Sequence, residues 1–462
     1  MTTSRAFAFL TLALALSSAR ADDPPAYKLS RQDEDWSPLR DPALRTDSLD
    51  TLKFIPLTHD GLSWITLGGE IRERYEYFDN ANWGKGPQDS NGYLLQRFLL
   101  SADAHASEYL RLFTEFQSGL EDGRNGGPRP TDRDVFDLHQ LFIDARAPLD
   151  SENSLTLRLG RQELAFGTQR LISLRDSPNL RRTFDGARAI QLWNGWQFDE
   201  FAVRPVRLKT DAFDDDPDPA TKFWGFYGVA PFSPVPGGKV DFYYLGLNRA
   251  SATYAQGTAK EERHSVGVRL WGKRSGWDWN HEFVYQFGTF GSGDISAWTA
   301  ATDIGYKFAN AFWTPRLGLK ADVTSGDGNP KNGDLQTFNP LFPRGAYFAE
   351  TGLIGPQNHI DSHPSLELHP LERLTITTDL DFFWRESIHD GVYNISQTLV
   401  RSGTAGGARY IGSQATGQIE WRLQRHVTWI ANYAHFFAGA FLNENPPSKD
   451  VNYFSSWISF RF

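Results

Sequence analysis

From Trp64 to the last residue, apolar and polar side chains alternate along the chain in one segment after another. The first segment reads WITLGGEIRERYEYF, and its apolar residues, such as Ile71 and Tyr75, fall on one face. Its charged residues fall on the other face, and they are Glu70, Arg72, Arg74 and Glu76. A period of two predicts a β-strand, here with one apolar and one charged face.

The same alternation recurs in segments 110–116, 141–146, 155–159, 266–270, 316–324, 376–385 and 418–423. So many strands exceed the sheets of an ordinary sandwich, and no predicted helix covers them. The last segment, 452–462, ends on an aromatic residue and is typical of a strand that closes a barrel in lipid, where an open edge would leave backbone groups unpaired. We therefore expect an all-β fold, a transmembrane antiparallel β-barrel. A closing strand of a soluble β-sandwich is the alternative for the last segment.

Turn signals separate the strands by short and long connections. The sequences WNGW and RSG, from Trp193 and Arg274, predict tight turns, whereas long polar stretches cover 119–134, 211–220 and 324–345. Such alternation is typical of short periplasmic turns and long extracellular loops. At about 10 residues per spanning strand, about 16 to 18 strands fit after Gly61. We expect 18, because bacterial single-chain barrels have even strand numbers.

The beginning of the chain predicts export. Arg5 precedes an apolar run over 6–16, and small residues surround Arg20, so residues 1–21 are expected to form a cleaved signal peptide. Residues 22–60 are rich in Pro and Asp and have no period, which favours a periplasmic lead-in that is mobile or loosely docked. The barrel is then expected to occupy residues 61–462.

Composition excludes several classes of function. The chain has no Cys, which excludes disulfides, thiol chemistry and Cys-bound metals. Its formal net charge of -9 argues against nucleic-acid binding. It contains neither HExxH nor GxSxG, so we predict no catalytic residue, no metal and no cofactor. The loop with Asp327, Asn329 and Asp334 offers oxygen ligands for Ca²⁺, but it lacks the EF-hand spacing.

One stretch concentrates positive charge on an otherwise acidic chain. Between Leu155 and Ile190 there are seven arginines and three acids. The planar guanidinium suits bidentate recognition of carboxylate, sulfate or phosphate. Gly160, Gly167 and Gly186 indicate tight backbone turns, as in a loop that folds into a lumen and narrows it. The alternative is that these arginines pair with the local acids, namely Glu163, Asp176 and Asp185, and brace the barrel wall.

Three motifs carry a family resemblance: GRQELAFGTQRLISLRDSPNLRRTFDGAR from Gly160, SGDGNPKNGDLQTFNPLFPRGAYF from Ser325, and YAHFFAGAFL from Tyr433. They resemble the alginate export family of outer-membrane porins over most of the mature chain, and the first motif resembles the porin-like branch more than the dedicated alginate secretion channels. The resemblance implies a monomeric barrel of about 18 strands with an arginine-lined, anion-selective pore narrowed by inward loops. In the first motif the matching polar positions are Arg161, Gln162, Arg170, Arg175, Asp176, Asn179, Arg181, Arg182, Asp185 and Arg188.

The sequence therefore favours a passive outer-membrane channel for an anionic solute, such as a uronate or an alginate-type oligosaccharide or polysaccharide. The expected pore-lining and substrate-binding residues are Arg72, Arg74, Arg158, Arg161, Arg170, Arg175, Arg181, Arg182, Asp185, Arg188, Arg385 and Arg461. The alternatives are a dedicated alginate or exopolysaccharide export channel, an outer-membrane hydrolase, and a structural barrel with a closed lumen. We expect a monomer in the outer membrane of a Gram-negative bacterium, where its partners are lipid, lipopolysaccharide and the barrel assembly machinery.

Overall fold

The computed structural model describes residues 25, 27–89 and 91–462, so the expected signal peptide lies outside the described residues. Its main sheet contains 18 long strands. They are β1 (Trp64–Asp79), β2 (Tyr93–His105), β3 (Leu110–Asp122), β4 (Asp134–Pro148), β5 (Ser154–Gln162), β6 (Phe184–Trp193), β7 (Trp196–Arg207), β8 (Thr221–Pro231), β9 (Gly238–Tyr254), β10 (Gly257–Arg274), β11 (Trp277–Phe290), β12 (Gly293–Lys307), β13 (Arg316–Thr324), β14 (His359–Leu371), β15 (Leu374–Trp384), β16 (Tyr410–Arg422), β17 (Val427–Ala438) and β18 (Val451–Arg461).

The remaining elements are short. Strand Ile55–Pro56 pairs with β1, Asp216–Pro217 pairs with β7, and Val392–Tyr393 pairs with Leu399–Arg401. The helical turns are Arg31–Asp33, Ser37–Arg40, Pro42–Leu44, Ser48–Leu52, Ala81–Gly84, Gly403–Ala405 and Ala440–Asn443. None of the helices within the described part of the chain is long and apolar enough to cross a membrane.

The sheet closes on itself. Each long strand pairs antiparallel with the next one, and β18 pairs with β1 from Arg461 opposite Glu70 to Asn452 opposite Asp79. The terminal residue completes the seam, because the Phe462 N–H donates to the Gly69 carbonyl and the Gly69 N–H donates to the Phe462 carbonyl. The prediction of an 18-stranded barrel closed by its last segment is confirmed.

The connections are long at one end of the barrel and short at the other, as predicted. The long-loop end carries 80–92, 123–133, 163–183, 208–220, 325–358, 385–409 and 439–450, although its connections 255–256 and 291–292 are tight. At the short-turn end, WNGW and RSG form two-residue hairpins. Asn194 (φ 50°) and Gly195 (φ 79°) are both left-handed there, as a type I′ turn requires.

The two faces of the barrel wall differ as the alternation predicts. Leu94, Phe98 and Leu100 of β2 are exposed on the outer face. Glu70, Arg72, Arg74 and Glu76 of β1 point inward, but each is at most 4% exposed. These charges therefore lie under other groups instead of lining open water, because several connections fold into the lumen.

Three long connections fill the lumen from the long-loop end. We call residues 163–183 the first inward loop, 325–358 the second and 385–409 the third. The first two loops are joined through their backbones, since the Phe342 N–H donates to the Leu171 carbonyl and the Arg344 N–H donates to the Gln169 carbonyl. Around this junction, Leu164, Phe166, Phe184, Phe223 and Phe338 form a buried core with wall residues.

The lead-in, as far as the structure describes it, is folded into the short-turn end. Trp36, Leu39 and Phe54 form a small buried core there. The Ser30 hydroxyl donates to Glu163 of the first inward loop at 2.6 Å, and Arg181 of that loop donates to the Leu29 carbonyl at 2.9 Å. The other end of the lead-in is held by a bidentate ion pair between Asp50 and Arg425 of the turn 423–426. The guanidinium nitrogens of Arg425 lie 2.7 and 3.0 Å from the two carboxylate oxygens of Asp50. Residues 27–56 are therefore firmly docked, unlike the loosely held segment that composition favoured.

This docking is expected to depend on pH through Asp50. Burial alone would raise the pKa of Asp50, but hydrogen bonds from Arg425 and from the Thr46 backbone outweigh it and hold that pKa below its ordinary value. A carboxyl with a lowered pKa stabilises the docked state above the pKa of the free chain, about 3.9, and loses this contribution as pH falls further. Amide hydrogen exchange, corrected for intrinsic rates, should show protection of residues 27–56 at pH 7 that weakens below about pH 4.

In an Asp50→Asn variant the protection should already be weak at pH 7. Asp35→Asn, at an exposed position of the same segment, is the matched control and should behave as the wild type. Equal protection of residues 27–56 in both variants at pH 7 would show that the ion pair with Arg425 does not hold the segment.

Candidate functional site

The first inward loop places most of the predicted arginines inside the barrel. Strand β5 ends at Gln162 and β6 begins only at Phe184, so the chain between them leaves the wall. Gly167 allows the turn, because its φ is +56° and a Cβ there would lie 2.7 Å from the Tyr227 hydroxyl. The loop thus carries Arg170, Arg175, Arg181 and Arg182 into the lumen.

Arg181 is the centre of a buried ion-pair network. Its guanidinium lies 2.7 Å from Asp176 and 3.4 Å from Glu163. Arg97 of β2 lies 2.7 Å from the same Asp176 and 2.5 Å from Glu70 of β1. The network attaches the first inward loop to the barrel wall.

Other arginines of the wall are also occupied by acids or by carbonyls. Arg74 pairs with Glu76 on its own strand at 2.7 Å and with Glu350 of the second inward loop at 2.8 Å. The other pairs are Arg158 with Asp144 at 2.7 Å, Arg188 with Asp199 at 2.6 Å and Arg461 with Glu70 at 2.7 Å. Arg72 donates to the carbonyls of Asp176 and Pro178 at 3.0 and 2.8 Å. These side chains brace the wall and its inward loops.

Three further predicted residues have equally specific surroundings. Arg161 pairs with Asp185 at 2.8 Å, on the same face of β5 as the exposed Leu157 and Leu159. Arg170 pairs with Asp322 of β13 at 2.8 Å, which ties the first inward loop to a distant part of the wall. Arg385 is fully buried and donates to five carbonyls of the third inward loop, those of Ile388, Asp390, Gly403, Gly406 and Ala408.

Arg175 and Arg182, together with Arg344 of the second inward loop, are half-buried and lack a carboxylate partner in the part of the chain that the structure describes, and we call them the arginine trio. Among the described residues, no carboxylate oxygen lies within 4.0 Å of their guanidinium nitrogens. Arg182 donates to the Ser173 and Pro343 carbonyls at 3.5 and 3.4 Å, and Arg344 donates to the Tyr347 carbonyl at 3.1 Å. Arg72 and Arg385 also lack a carboxylate within 4.0 Å in the described ranges, but both are buried against backbone carbonyls.

The trio carries positive charge that the protein itself does not neutralise. Burial lowers the pKa of Arg175 to about 10. Burial and, second, the like charge of Arg175 hold the pKa of Arg182 well below its usual range. Burial also lowers the pKa of Arg344. A nearby anion would relieve this electrostatic cost, because an opposite charge favours the charged form of each guanidinium.

The wall near the second inward loop carries the opposite charge. Asp322 of β13 accepts a hydrogen bond from Tyr347 at 2.8 Å. Farther along, His363 of β14 contacts Asp379 at 3.0 Å and also Asp381, both on β15. Strands β13–β15 therefore present acids on the inner face, and Asp322 among them also pairs with Arg170 of the first inward loop.

The Ca²⁺ ligands considered from sequence are used internally. Asp327 accepts hydrogen bonds from the backbone N–H groups of Asn329 and Gln336, and from the Gln256 side chain. Two buried clusters with possible metal-ligand geometry also have internal partners. Glu163, with Glu115 and His139, contacts Arg181 and Ser30, whereas Asp322, with His359 and Asp361, contacts Arg170 and Tyr347.

Sequence reasoning missed two residues of this site. Arg97 lies opposite Arg72 in the register of β1 and β2, and only the pairing of the strands reveals it. Arg344 belongs to the motif from Ser325. The sequence signal that could have identified it is that the surrounding stretch NPLFPRGAYF contains no acid.

Comparison with known proteins assigns the family. The family model for alginate export matches residues 63–455. A search of curated protein sequences finds no match. Among solved structures, a BenF-like porin from Pseudomonas fluorescens Pf-5 superposes with a TM-score of 0.59 at 11% identity, covering 86% of this chain and 98% of the porin.

Two Pseudomonas aeruginosa structures are similar as well. OccK11 (OpdR) has a TM-score of 0.55 at 11% identity, covering 89% of this chain and 97% of its own. OpdK, solved with vanillate, has a TM-score of 0.58 at 12% identity, covering 86% and 98%. At such identities these likenesses establish the fold. Together with the match over residues 63–455, they show that the chain belongs to the alginate export family and is an outer-membrane channel rather than an enzyme.

Proposed function

We propose that this channel passes small anionic solutes by diffusion and that the arginine trio attracts them. One observation supports the proposal: most arginines of the lumen face a carboxylate or are fully buried, whereas Arg175, Arg182 and Arg344 are half-buried and have no carboxylate within 4.0 Å among the described residues. In a narrow lumen with low-dielectric walls, unneutralised charge raises the local concentration of the opposite ion. The planar guanidinium adds bidentate recognition of carboxylate.

Crowding of the lumen favours small solutes. The first two inward loops hold Arg72 and Arg74, and the charged face of β1 is almost completely buried. A monocarboxylate or a single uronate fits such a path better than a polysaccharide chain. The ligand of the similar OpdK structure, vanillate, is itself an aromatic carboxylate.

A second candidate is a dedicated export channel for alginate or another exopolysaccharide. The family match over residues 63–455 favours it. Export of a polymer requires that the inward loops move aside, and the direction of transport is then set by partners and gradients. With either function we propose a monomer, inserted by the barrel assembly machinery among lipid and lipopolysaccharide.

Flux through proteoliposomes tests the proposal. Glucuronate and glucose have similar size but differ in charge, and the wild type should pass glucuronate about 10-fold faster at low salt. Changing the trio to Gln should bring glucuronate down to the rate of glucose without slowing glucose. Equal rates for the two solutes in the wild type, or an unchanged ratio in the variant, would contradict the proposal. Faster release of uronate oligomers than of the monomer would favour the export channel.

A further inference from the structure

Four aspartates meet at the long-loop end, where the barrel wall is incomplete. Because β5 pairs with β4 only from Leu141 onward, residues 134–140 of β4 have no partner on that side. The connection 208–220 packs there instead. The Val135 N–H donates to the Thr210 carbonyl at 3.3 Å, and the Phe213 N–H donates to the Phe136 carbonyl at 3.0 Å.

The packing brings Asp134 and Asp137 of β4 beside Asp214 and Asp215 of the connection. Asp137 accepts hydrogen bonds from the backbone N–H groups of Asp214 and Asp215 at 2.8 and 3.1 Å. Carboxylate oxygens of Asp134, Asp137 and Asp215 lie within 4.8 Å of one another. Such close carboxylates repel one another unless a cation lies between them or one of them takes up a proton.

Asp134 points to a missing ligand. Its side chain is 0% exposed, and neither of its carboxylate oxygens has a hydrogen-bond partner among the described residues. One carboxylate oxygen of Asp214 is also buried and unpartnered. A buried carboxylate without donors is costly, so these oxygens indicate a group that the protein chain does not supply.

The surrounding cations do not neutralise the cluster. Arg161 lies 3.8 Å from Asp137 but makes its shorter contact, 2.8 Å, with Asp185. Lys209 is exposed, and its ammonium pairs with Asp216 at 3.5 Å. The cluster therefore keeps an excess of negative charge.

We propose that Asp134, Asp137 and Asp215 bind a Ca²⁺ ion, with Asp214 beside it, and that the ion fastens the connection 208–220 to β4. Ca²⁺ takes six to eight oxygen ligands in flexible geometry, which suits carboxylates from a strand and a loop. Mg²⁺ demands near-ideal octahedral geometry and retains its waters, and an all-oxygen set without His does not select Zn²⁺. The ion would close the gap that the short β5 leaves in the wall.

Calorimetric titration of the full mature chain with Ca²⁺ tests this proposal. The chain is refolded in detergent without lipopolysaccharide, so that lipopolysaccharide phosphates cannot supply the binding. We expect about one equivalent of Ca²⁺ to bind, and Asp134→Asn to weaken it by about 10-fold or more, because affinity follows the charge of the ligands. Asp215→Asn, at a half-buried loop position that folding tolerates more easily, should have the same effect.

Asp327→Asn is the matched control, because Asp327 is buried like Asp134 but belongs to the second inward loop and not to the aspartate cluster. It should bind Ca²⁺ as the wild type does. Bound Ca²⁺ should also protect residues 208–220 from proteolysis, and EDTA should remove the protection. The proposal would be overturned if the wild type did not bind Ca²⁺ or preferred Mg²⁺. It would also be overturned if Asp134→Asn and Asp215→Asn bound Ca²⁺ as tightly as the wild type, or if Asp327→Asn weakened binding as much as they do.

Discussion

Replacing Arg181 with alanine is expected to release the first inward loop and to increase the conductance of the channel. The change removes the partner of Asp176 and Glu163, both held inside the barrel, and the donor to the Leu29 carbonyl. Removing one member of a buried ion pair typically costs about 3–5 kcal/mol, since the remaining charge stays buried without compensation. Asp176 keeps Arg97 and Glu163 keeps the Ser30 hydroxyl, so the cost should lie at the lower end of this range, and the loop should leave the wall for part of the time.

Two measurements check this expectation. Single-channel recording should give a larger mean conductance with frequent fluctuations, and denaturant unfolding should show a lower free energy of unfolding. The control is Arg207→Ala, because Arg207 pairs with Asp216 at 2.7 Å but is 48% exposed, and exposed pairs contribute little to stability. If Arg181→Ala has the same free energy of unfolding and the same mean conductance as Arg207→Ala, the ion-pair network does not hold the loop.

The fold could be predicted because lipid acts on every strand separately. Each spanning strand must show an apolar face to the membrane, so alternation in 64–77 or 155–159 is visible without knowledge of any other strand. The closing role of 452–462 follows from the same constraint, since an open edge in lipid would be unpaired. The tight turns at Asn194-Gly195 and Ser275-Gly276 are similarly local.

The site could be predicted only in part, because the partners of its charges are distant in sequence. Arg97 meets Asp176 across 79 residues, and Arg74 meets Glu350 across 276. Local composition correctly located the arginine-rich stretch, but it could not separate Arg181, which is paired, from Arg182, which is not. The docking of 27–56 was hidden for the same reason, since its partners Glu163 and Arg425 are remote.

Charge selectivity is the property most sensitive to whether an arginine of the lumen is paired with an acid. At low salt, where the screening length is about 10 Å or longer, three unneutralised guanidinium groups should dominate the field along the path. Changing all three of the trio to Gln removes this charge, while the paired arginines and acids of the wall remain. We therefore expect the wild type to prefer Cl⁻ over K⁺ and the triple variant to lose this preference or to reverse it.

The most direct test is the reversal potential of the purified channel in a planar bilayer under a tenfold KCl gradient. A path selective only for Cl⁻ would give a reversal potential of about 59 mV, with the polarity that Cl⁻ diffusion sets, and we expect a clear shift in that direction for the wild type. Arg175→Gln, Arg182→Gln and Arg344→Gln combined should move it to zero or beyond, whereas Arg161→Gln, which changes an arginine paired with Asp185 on the outer face, should not move it. A wild type without Cl⁻ preference, or a triple variant that keeps it, would show that the arginine trio does not attract anions into the path.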